Sequence, residues 1–73
     1  MSQNTNVVIK GEYIELNKLL KFENLVESGG QAKLVISEGH VLLNGEVVTQ
    51  TRKKVFHGDS VEFNGAYIHV VSD

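Results

Sequence analysis

The spacing of the apolar residues changes at Gly39, and this change limits the folds that the chain can adopt. Before Gly39, apolar side chains recur at helical spacing over residues 15–23 and again over residues 29–38. After Gly39, short apolar runs are separated by turn signals, of which Asn44-Gly45 and Asn64-Gly65 are typical of tight hairpins. This order predicts an α+β domain in which two helices pack on a small, mainly antiparallel twisted sheet with hairpins.

Chain length and composition restrict the class of protein. With 73 residues we expect a single domain over residues 7–73, which opens with a short strand at Val7-Val8-Ile9 and follows a frayed segment at residues 1–6. Cysteine is absent, so neither a disulfide nor a thiolate metal site can form. No apolar run exceeds three residues, whereas a membrane-spanning helix needs about 20. The first six residues lack the apolar region of a secretory signal, and a cytoplasmic protein is therefore expected.

The start of the second predicted helix carries the most informative local signal. Ser28 and Gln31 stand three residues apart, which is the spacing of a capping box. Gly39 fits the C-terminal end of this helix because positive φ carries no steric penalty for glycine. Gly29-Gly30 lies in the first turn although glycine is a poor helix former, so something other than helix propensity accounts for the pair.

Exposed N–H groups at such a helix start can hold a phosphate. The helix dipole adds partial positive charge, and glycines let the phosphate approach the backbone closely. Lys33 follows on the next turn, and Lys18 and Lys21 lie on the first helix, so the group suits an RNA phosphate backbone. The alternative interpretation, which composition alone slightly favours, is a tight interhelical turn with solvated lysines.

The chain has a net charge of −2 but contains one local basic patch. All nine acids lie outside residues 47–58, where Arg52, Lys53 and Lys54 are consecutive. This patch is compatible with a polyanion site on one face of the domain and equally with a solvated loop.

Catalytic chemistry has little support in the sequence. His40, His57 and His69 are 17 and 12 residues apart in different turn or strand contexts, and this spacing matches no zinc motif. The glycine pair fits neither common glycine pattern of nucleotide-binding loops, and Asp59 is explained as a turn residue. We therefore expect no enzyme activity, no metal and no cofactor.

Several of these positions together resemble a known family. The matching residues are Leu16…Leu20, Ser28-x-x-x-Ala32-Lys33, Ile36-x-x-Gly39-x-Val41, Asn44-Gly45, Val55 and Gly58-Asp59-x-Val61. With this spacing the chain is similar, over residues 14–63, to the RNA-binding domain named after ribosomal small-subunit protein four. Residues 27–33 and 51–54 resemble the short stand-alone members of the YaaA and YbcJ type. The resemblance implies an αL motif, in which two helices are followed by a bent hairpin and further strands.

The resemblance also implies RNA binding through the helix pair and the following hairpin. Ser28 and Lys33 stand at positions that contact phosphate in the family, whereas Gly29 stands where the family usually carries arginine. The basic tract at residues 52–54 falls in the loop after the hairpin and could replace that cation. The implied partner is structured ribosomal or transfer RNA, on or off the ribosome, and the protein is expected to be a monomer that does not bind membranes. The RNA-binding candidates are Lys18, Lys21, Ser28, Gly29, Gly30, Gln31, Lys33, Arg52, Lys53 and Lys54.

The five aromatic residues are scattered along the chain and do not follow the pattern of a base-stacking sheet. Phe22, Phe56 and Phe63 are expected in the core, and Tyr13 and Tyr67 fit either the core or the surface.

A second function from a different class is a protein-interaction module that docks on a larger ribosome-bound or nucleic-acid-processing protein. Binding through phosphates predicts strong salt dependence, whereas docking predicts an exposed apolar patch and salt tolerance.

Overall fold

The structure, a computed structural model, describes residues 3–73, over which the chain forms two helices and seven strands. In chain order the elements are β1 (Gln3–Ile9), β2 (Tyr13–Glu15), α1 (Leu16–Phe22), α2 (Gly29–Ser37), β3 (Val41–Leu43), β4 (Glu46–Val48), β5 (Lys54–Phe56), β6 (Ser60–Phe63) and β7 (Ala66–Ser72).

Five of the strands form one sheet in the order β1-β7-β6-β3-β4. Its neighbouring strands are antiparallel except for β1 and β7, which are parallel. A separate two-stranded antiparallel sheet pairs β2 with β5. The predicted α+β class is confirmed. The parallel pair and the small sheet join segments far apart in the chain, so they are not visible in local sequence patterns.

The first strand is longer than the sequence predicted. It begins at Gln3 rather than Val7 and pairs along its length with β7. The prediction of a frayed segment at residues 1–6 is therefore wrong from Gln3 onward. Met1 and Ser2 lie outside the described residues. The polar composition concealed this strand, because backbone hydrogen bonding along β7 does not require apolar side chains.

The start of α1 has no side-chain cap. Glu15 precedes the helix in an extended conformation, and its carboxylate makes no capping hydrogen bond. Instead, the Leu16 N–H donates to the carbonyl of Lys53 at 2.8 Å, and the Asn17 N–H donates to the carbonyl of Thr51 at 3.1 Å. The loop before β5 therefore caps α1, through contacts that join distant parts of the sequence.

Both helices end with a residue in the left-handed conformation. Asn24 (φ 57°) donates its N–H to the carbonyl of Lys21, and Gly39 (φ 82°) donates to the carbonyl of Ile36. The following N–H in each case bonds one residue further back along the helix, which completes a Schellman motif. The predicted end of α2 at Gly39 is confirmed, and the bounds of both helices agree with the sequence within one residue.

One hydrophobic core joins both helices to both sheets. Its most buried members are Leu16, Leu19, Leu20, Ala32, Ile36, Val41, Val55, Val61, Ile68 and Val70. Each helix uses one apolar face for this core, which leaves its lysines on the outside.

The hairpin turns at Asn44-Gly45 and Asn64-Gly65 have positive φ at both residues, between 52° and 86°. Both turns therefore have the primed geometry that the Asn-Gly pairs predicted.

Candidate nucleic-acid interface

The start of α2 is capped as the sequence predicted, with one change of partner. The Gln31 N–H donates to Oγ of Ser28 at 3.2 Å. The Gln31 side chain reaches back to the N–H of Glu27 at 2.7 Å, one residue before the N-cap. Within residues 3–73, the N–H groups of Gly29 and Gly30 have no acceptor. The capping box thus orders the helix start and leaves two N–H groups for an outside acceptor.

The local structure does not require the two glycines at this helix start. Neither has positive φ. A Cβ added to Gly29 would meet nothing within 4 Å, and one added to Gly30 would meet only Oγ of Ser28 at 3.8 Å. Glycine in a helix costs about 0.5–1 kcal/mol relative to alanine. With glycine at both positions, no side-chain atoms of these residues cover the backbone at the helix start.

The three helical lysines differ in their surroundings. Lys18 lies in the first turn of α1, with its ammonium 3.3 Å from the carboxylate of Glu15. Lys21 lies in the last turn of α1, and Lys33 lies in α2, one turn after the glycines. Both side chains are exposed, and neither has a carboxylate within 4.0 Å among the residues described. Lys21 and Lys33 are therefore the helical cations whose charge is not neutralised by a neighbour.

The basic tract is held in a fixed position. Arg52 lies in a turn with Thr51, Lys53 follows the turn, and Lys54 is the first residue of β5. The Lys53 N–H donates to the carbonyl of Gln50 at 3.1 Å, while the Lys53 carbonyl accepts from Leu16 at the start of α1. All three cationic side chains are exposed, and none has a carboxylate within 4.0 Å over residues 3–73.

The ten candidate residues lie in three segments, namely the basic tract, α1, and the N-cap and first half of α2. The basic tract and Lys18 lie at the N-terminal end of α1. Lys21 lies at its C-terminal end, from which residues 23–28 lead to the start of α2. A helix of seven residues is about 10 Å long. The candidates are therefore distributed over the basic tract, α1 and the start of α2.

Comparison with known sequences identifies the family. Residues 7–71, nearly the whole chain, match the S4 domain. This chain belongs to the S4 domain family. The resemblance noted in the sequence is confirmed.

Two curated relatives match this chain over most of their length. YbcJ of Escherichia coli (strain K12), provisionally named as an RNA-binding protein, is 44% identical over 63 residues, which are 86% of this chain and 90% of YbcJ. RlbA of Bacillus subtilis (strain 168), provisionally named as a ribosome maturation protein, is 39% identical over 59 residues, which are 81% of this chain and 83% of RlbA.

The solution structure of E. coli YbcJ has the same fold. It aligns with a TM-score of 0.67 and 39% identity and covers 97% of this chain and 89% of its own. That structure is described as having an αL motif involved in RNA binding. The αL architecture expected for this chain is therefore shown.

Two aromatic residues of this S4 domain were assigned wrongly from the sequence. Phe22 is 66% exposed and Phe56 is 44% exposed, whereas both were expected in the core. Phe63 is partly buried against the core, as expected. The leucines of α1 already fill the core side of that helix, and Phe56 lies on a small sheet that local sequence patterns do not reveal.

The structure also brings together aromatic residues that are far apart in sequence. The ring centroids of Tyr13 and Phe56 are 5.9 Å apart, with the planes tilted by 51°. Nζ of Lys54 lies 4.8 Å from the centroid of the Tyr13 ring. The prediction that the aromatic residues are scattered is wrong for this pair, because β2 and β5 align them across the strands.

The histidines make separate local contacts. Nδ1 of His57 accepts a hydrogen bond from the Ser72 N–H at 2.9 Å, and Nδ1 of His69 lies 2.9 Å from Oγ of Ser60. His40 lies 3.7 Å from a carboxylate oxygen of Glu38. Over residues 3–73, no three histidine or acidic side chains are grouped as metal ligands, and no helix is long and apolar enough to span a membrane.

Proposed function

We propose that this S4 domain binds structured RNA, ribosomal or transfer RNA, through its phosphate backbone. We further propose that it acts as a non-enzymatic cytoplasmic monomer associated with the ribosome. The observation that carries the proposal is the basic tract Arg52–Lys54. Its backbone is hydrogen-bonded to α1, while its cations extend into solvent with no carboxylate partner in the described residues. A prepositioned backbone reduces the entropy lost when such side chains bind a ligand.

The start of α2 is also suited to bind RNA phosphate. An anion placed there could accept hydrogen bonds from the Gly29 and Gly30 N–H groups and interact favourably with the helix dipole. Lys33 follows one turn later and adds a full positive charge. Ser28 and Gln31 order this segment through the capping bonds, so their role is to hold the backbone in place.

The basic tract compensates for a cation missing from the helix start. Gly29 stands where related domains usually carry arginine, so α2 supplies N–H groups and Lys33 instead of a guanidinium. Arg52 supplies a guanidinium from the tract, and guanidinium groups can bind phosphate through two parallel hydrogen bonds. Lys21 adds a positive charge on α1, whereas Lys18 contributes less because Glu15 already pairs with it.

These contacts suit the shape of folded RNA better than a particular sequence. The deep, narrow major groove of A-form RNA hides its base edges, so proteins recognise such helices mainly through phosphates and ribose hydroxyls. Phosphate contacts position a protein but carry no sequence information directly. The names of the relatives agree with this function, since YbcJ is described as RNA-binding and RlbA as a ribosome maturation protein.

The proposal is tested by titrating a fluorescent RNA hairpin at two salt concentrations. Lys33→Gln combined with Arg52→Gln removes two positive charges from the proposed surface. Asn4→Asp combined with Asn6→Asp changes the net charge equally at exposed positions on β1. We expect the first variant to bind at least tenfold more weakly at low salt, because each lost phosphate contact removes electrostatic stabilisation. The second variant should bind almost as the wild type does.

Equal weakening of the two variants would contradict a local phosphate surface and indicate only a long-range effect of net charge. Absence of RNA binding by the wild type at low salt would reject the proposed function and leave docking on a protein as the alternative.

A further inference from the structure

The small sheet of β2 and β5 has one buried face and one exposed face. Val55 is fully buried, and Ile14, its partner across the strands, packs against the core. On the other face, Tyr13 pairs with Phe56, and Lys54 follows in the adjacent position. Tyr13 and Phe56 remain 41% and 44% exposed, although the buried face already connects this sheet to the core. Packing of the domain therefore does not explain why two aromatic rings occupy this surface.

The arrangement of the two rings leaves a stacking surface available. Lys54 lies over the Tyr13 ring at 4.8 Å and so occupies one side of it. The Phe56 ring is tilted by 51° to that of Tyr13, so the pair does not close into a face-to-face stack. A flat apolar ligand could therefore stack on the exposed side of Phe56 and contact the edge of Tyr13.

The charges around the rings favour an anionic group on that ligand. Lys54 belongs both to this aromatic cluster and to the basic tract, with Arg52 and Lys53 directly before it. Glu15 is paired with Lys54 across the strands, but Lys18 lies 3.3 Å from its carboxylate and offsets its charge. The Asp59 carboxylate, also next to this cluster, accepts hydrogen bonds from the Phe56 N–H and from Nδ2 of Asn44. A group with both an aromatic plane and a negative charge, which is the composition of a nucleotide, fits these surroundings.

We propose that Tyr13, Phe56 and Lys54 form a site for one unpaired nucleotide of the RNA. The base stacks on Phe56 beside Tyr13, and its phosphate lies against Lys54. The inference rests on the proposed function and narrows its ligand to structured RNA that has a bulged or looped-out nucleotide beside the paired region. Unstacked bases are commonly held on aromatic side chains in this way.

Two RNA hairpins that differ only in one bulged nucleotide test this site. The wild type should bind the bulged hairpin about fivefold to 150-fold more tightly, the range for one base stacked on an aromatic ring. Tyr13→Thr combined with Phe56→Thr should abolish that preference and leave the affinity for the fully paired hairpin unchanged. Threonine retains the strand propensity of these positions. The matched control, Tyr13→Phe combined with Phe56→Tyr, keeps both rings and should keep the preference.

A second measurement does not depend on the stability of the threonine variant. The chain has no tryptophan and two tyrosines, so Tyr67→Phe leaves Tyr13 as the only tyrosine. Its fluorescence should be quenched by the bulged hairpin more strongly than by the paired hairpin.

The outcomes separate this site from the proposed function. Equal affinity of the wild type for both hairpins, or equal weakening of both by the threonine variant, would overturn the stacking site and leave phosphate binding intact. Failure of the wild type to bind either hairpin would reject the proposed function together with this site.

Discussion

Asp59 joins two turns through the two oxygens of its carboxylate. Oδ1 accepts from Nδ2 of Asn44 at 3.0 Å, and Oδ2 accepts from the N–H of Phe56 at 2.8 Å. The Asn44 side chain in turn accepts from the N–H of Ser60 at 2.8 Å. The turn role expected for Asp59 is thus confirmed, and its carboxylate also fixes the end of β5, where the aromatic cluster lies.

We expect Asp59→Ala to lower the free energy of unfolding by about 1–3 kcal/mol, because two hydrogen bonds to a charged acceptor are lost. Urea denaturation monitored by circular dichroism measures this change. Asp73→Ala removes an exposed carboxylate that makes no hydrogen bond or ion pair within residues 3–73, and it should change the stability by less than about 0.5 kcal/mol. Similar stabilities for the two variants would contradict the connecting role of Asp59.

Gly29→Ala should change the stability of the fold and the affinity for RNA in opposite directions. The position has ordinary helical φ and open space around its Cβ, so alanine should stabilise the fold by about 0.5–1 kcal/mol. RNA affinity should fall several-fold, because the added methyl group obstructs a phosphate approaching the backbone. Gly39→Ala is the control for glycine replacement, and it should destabilise the fold because φ is 82° there. If Gly29→Ala is more stable but has the RNA affinity of the wild type, the start of α2 is not part of the RNA-binding surface.

At the scale of elements, the two helices begin in different ways. α1 is short and lacks a side-chain cap, and its first two N–H groups donate to the carbonyls of Lys53, in the basic tract, and of Thr51, just before it. α2 has a capping box of its own, but two of its N–H groups are left without an acceptor in the described chain. The basic tract therefore both exposes cations and stabilises the start of α1. The N–H groups at the start of α2 stay available to a ligand.

Amide hydrogen exchange measured by NMR can detect this difference. We expect the N–H groups of Leu16 and Asn17 to exchange slowly, and those of Gly29 and Gly30 to exchange quickly, because only the first pair is hydrogen-bonded. Addition of the RNA hairpin should slow exchange at the two glycines. Unchanged exchange at the glycines under saturating RNA would contradict a phosphate at the start of α2.

At the scale of the whole molecule, the proposed binding of a polyanion by an acidic domain requires a local basic surface. The net charge is −2, yet six of the seven Lys and Arg side chains have no carboxylate within 4.0 Å among residues 3–73. A protein with a net negative charge gains little from long-range electrostatic attraction to RNA. Its affinity for RNA should therefore depend on close contacts between cations and phosphates.

We expect the logarithm of the association constant to fall with the logarithm of salt concentration, with a slope of about −3 to −5 for four to six phosphates. Removing Lys33 and Arg52 should make the slope shallower by about 2. Titrations at four or more salt concentrations measure both values, with the variant Asn4→Asp, Asn6→Asp as the control of equal net charge. A flat salt response would contradict phosphate binding and favour docking on a protein.

Local sequence patterns predicted the elements of this fold better than their pairing. The capping residues Ser28 and Gln31, the helix end at Gly39 and the primed Asn-Gly turns follow from backbone preferences that act over a few residues, and the structure confirms them. The extension of β1 and the sheet of β2 with β5 depend on partners far along the chain. No pattern within either segment specifies those partners.

Apolar spacing and local backbone chemistry were sufficient to predict the α+β order of elements and the leucine face of α1, and the motif spacing was sufficient to identify the family. Only the tertiary structure showed that the basic tract caps α1, and that Tyr13 and Phe56 meet beside Lys54. Both arrangements result from pairing residues 13–15 with residues 54–56. That pairing depends on burial of Ile14 and Val55 in a core assembled from the whole chain, so side chains separated by about 40 residues become neighbours only when the chain folds.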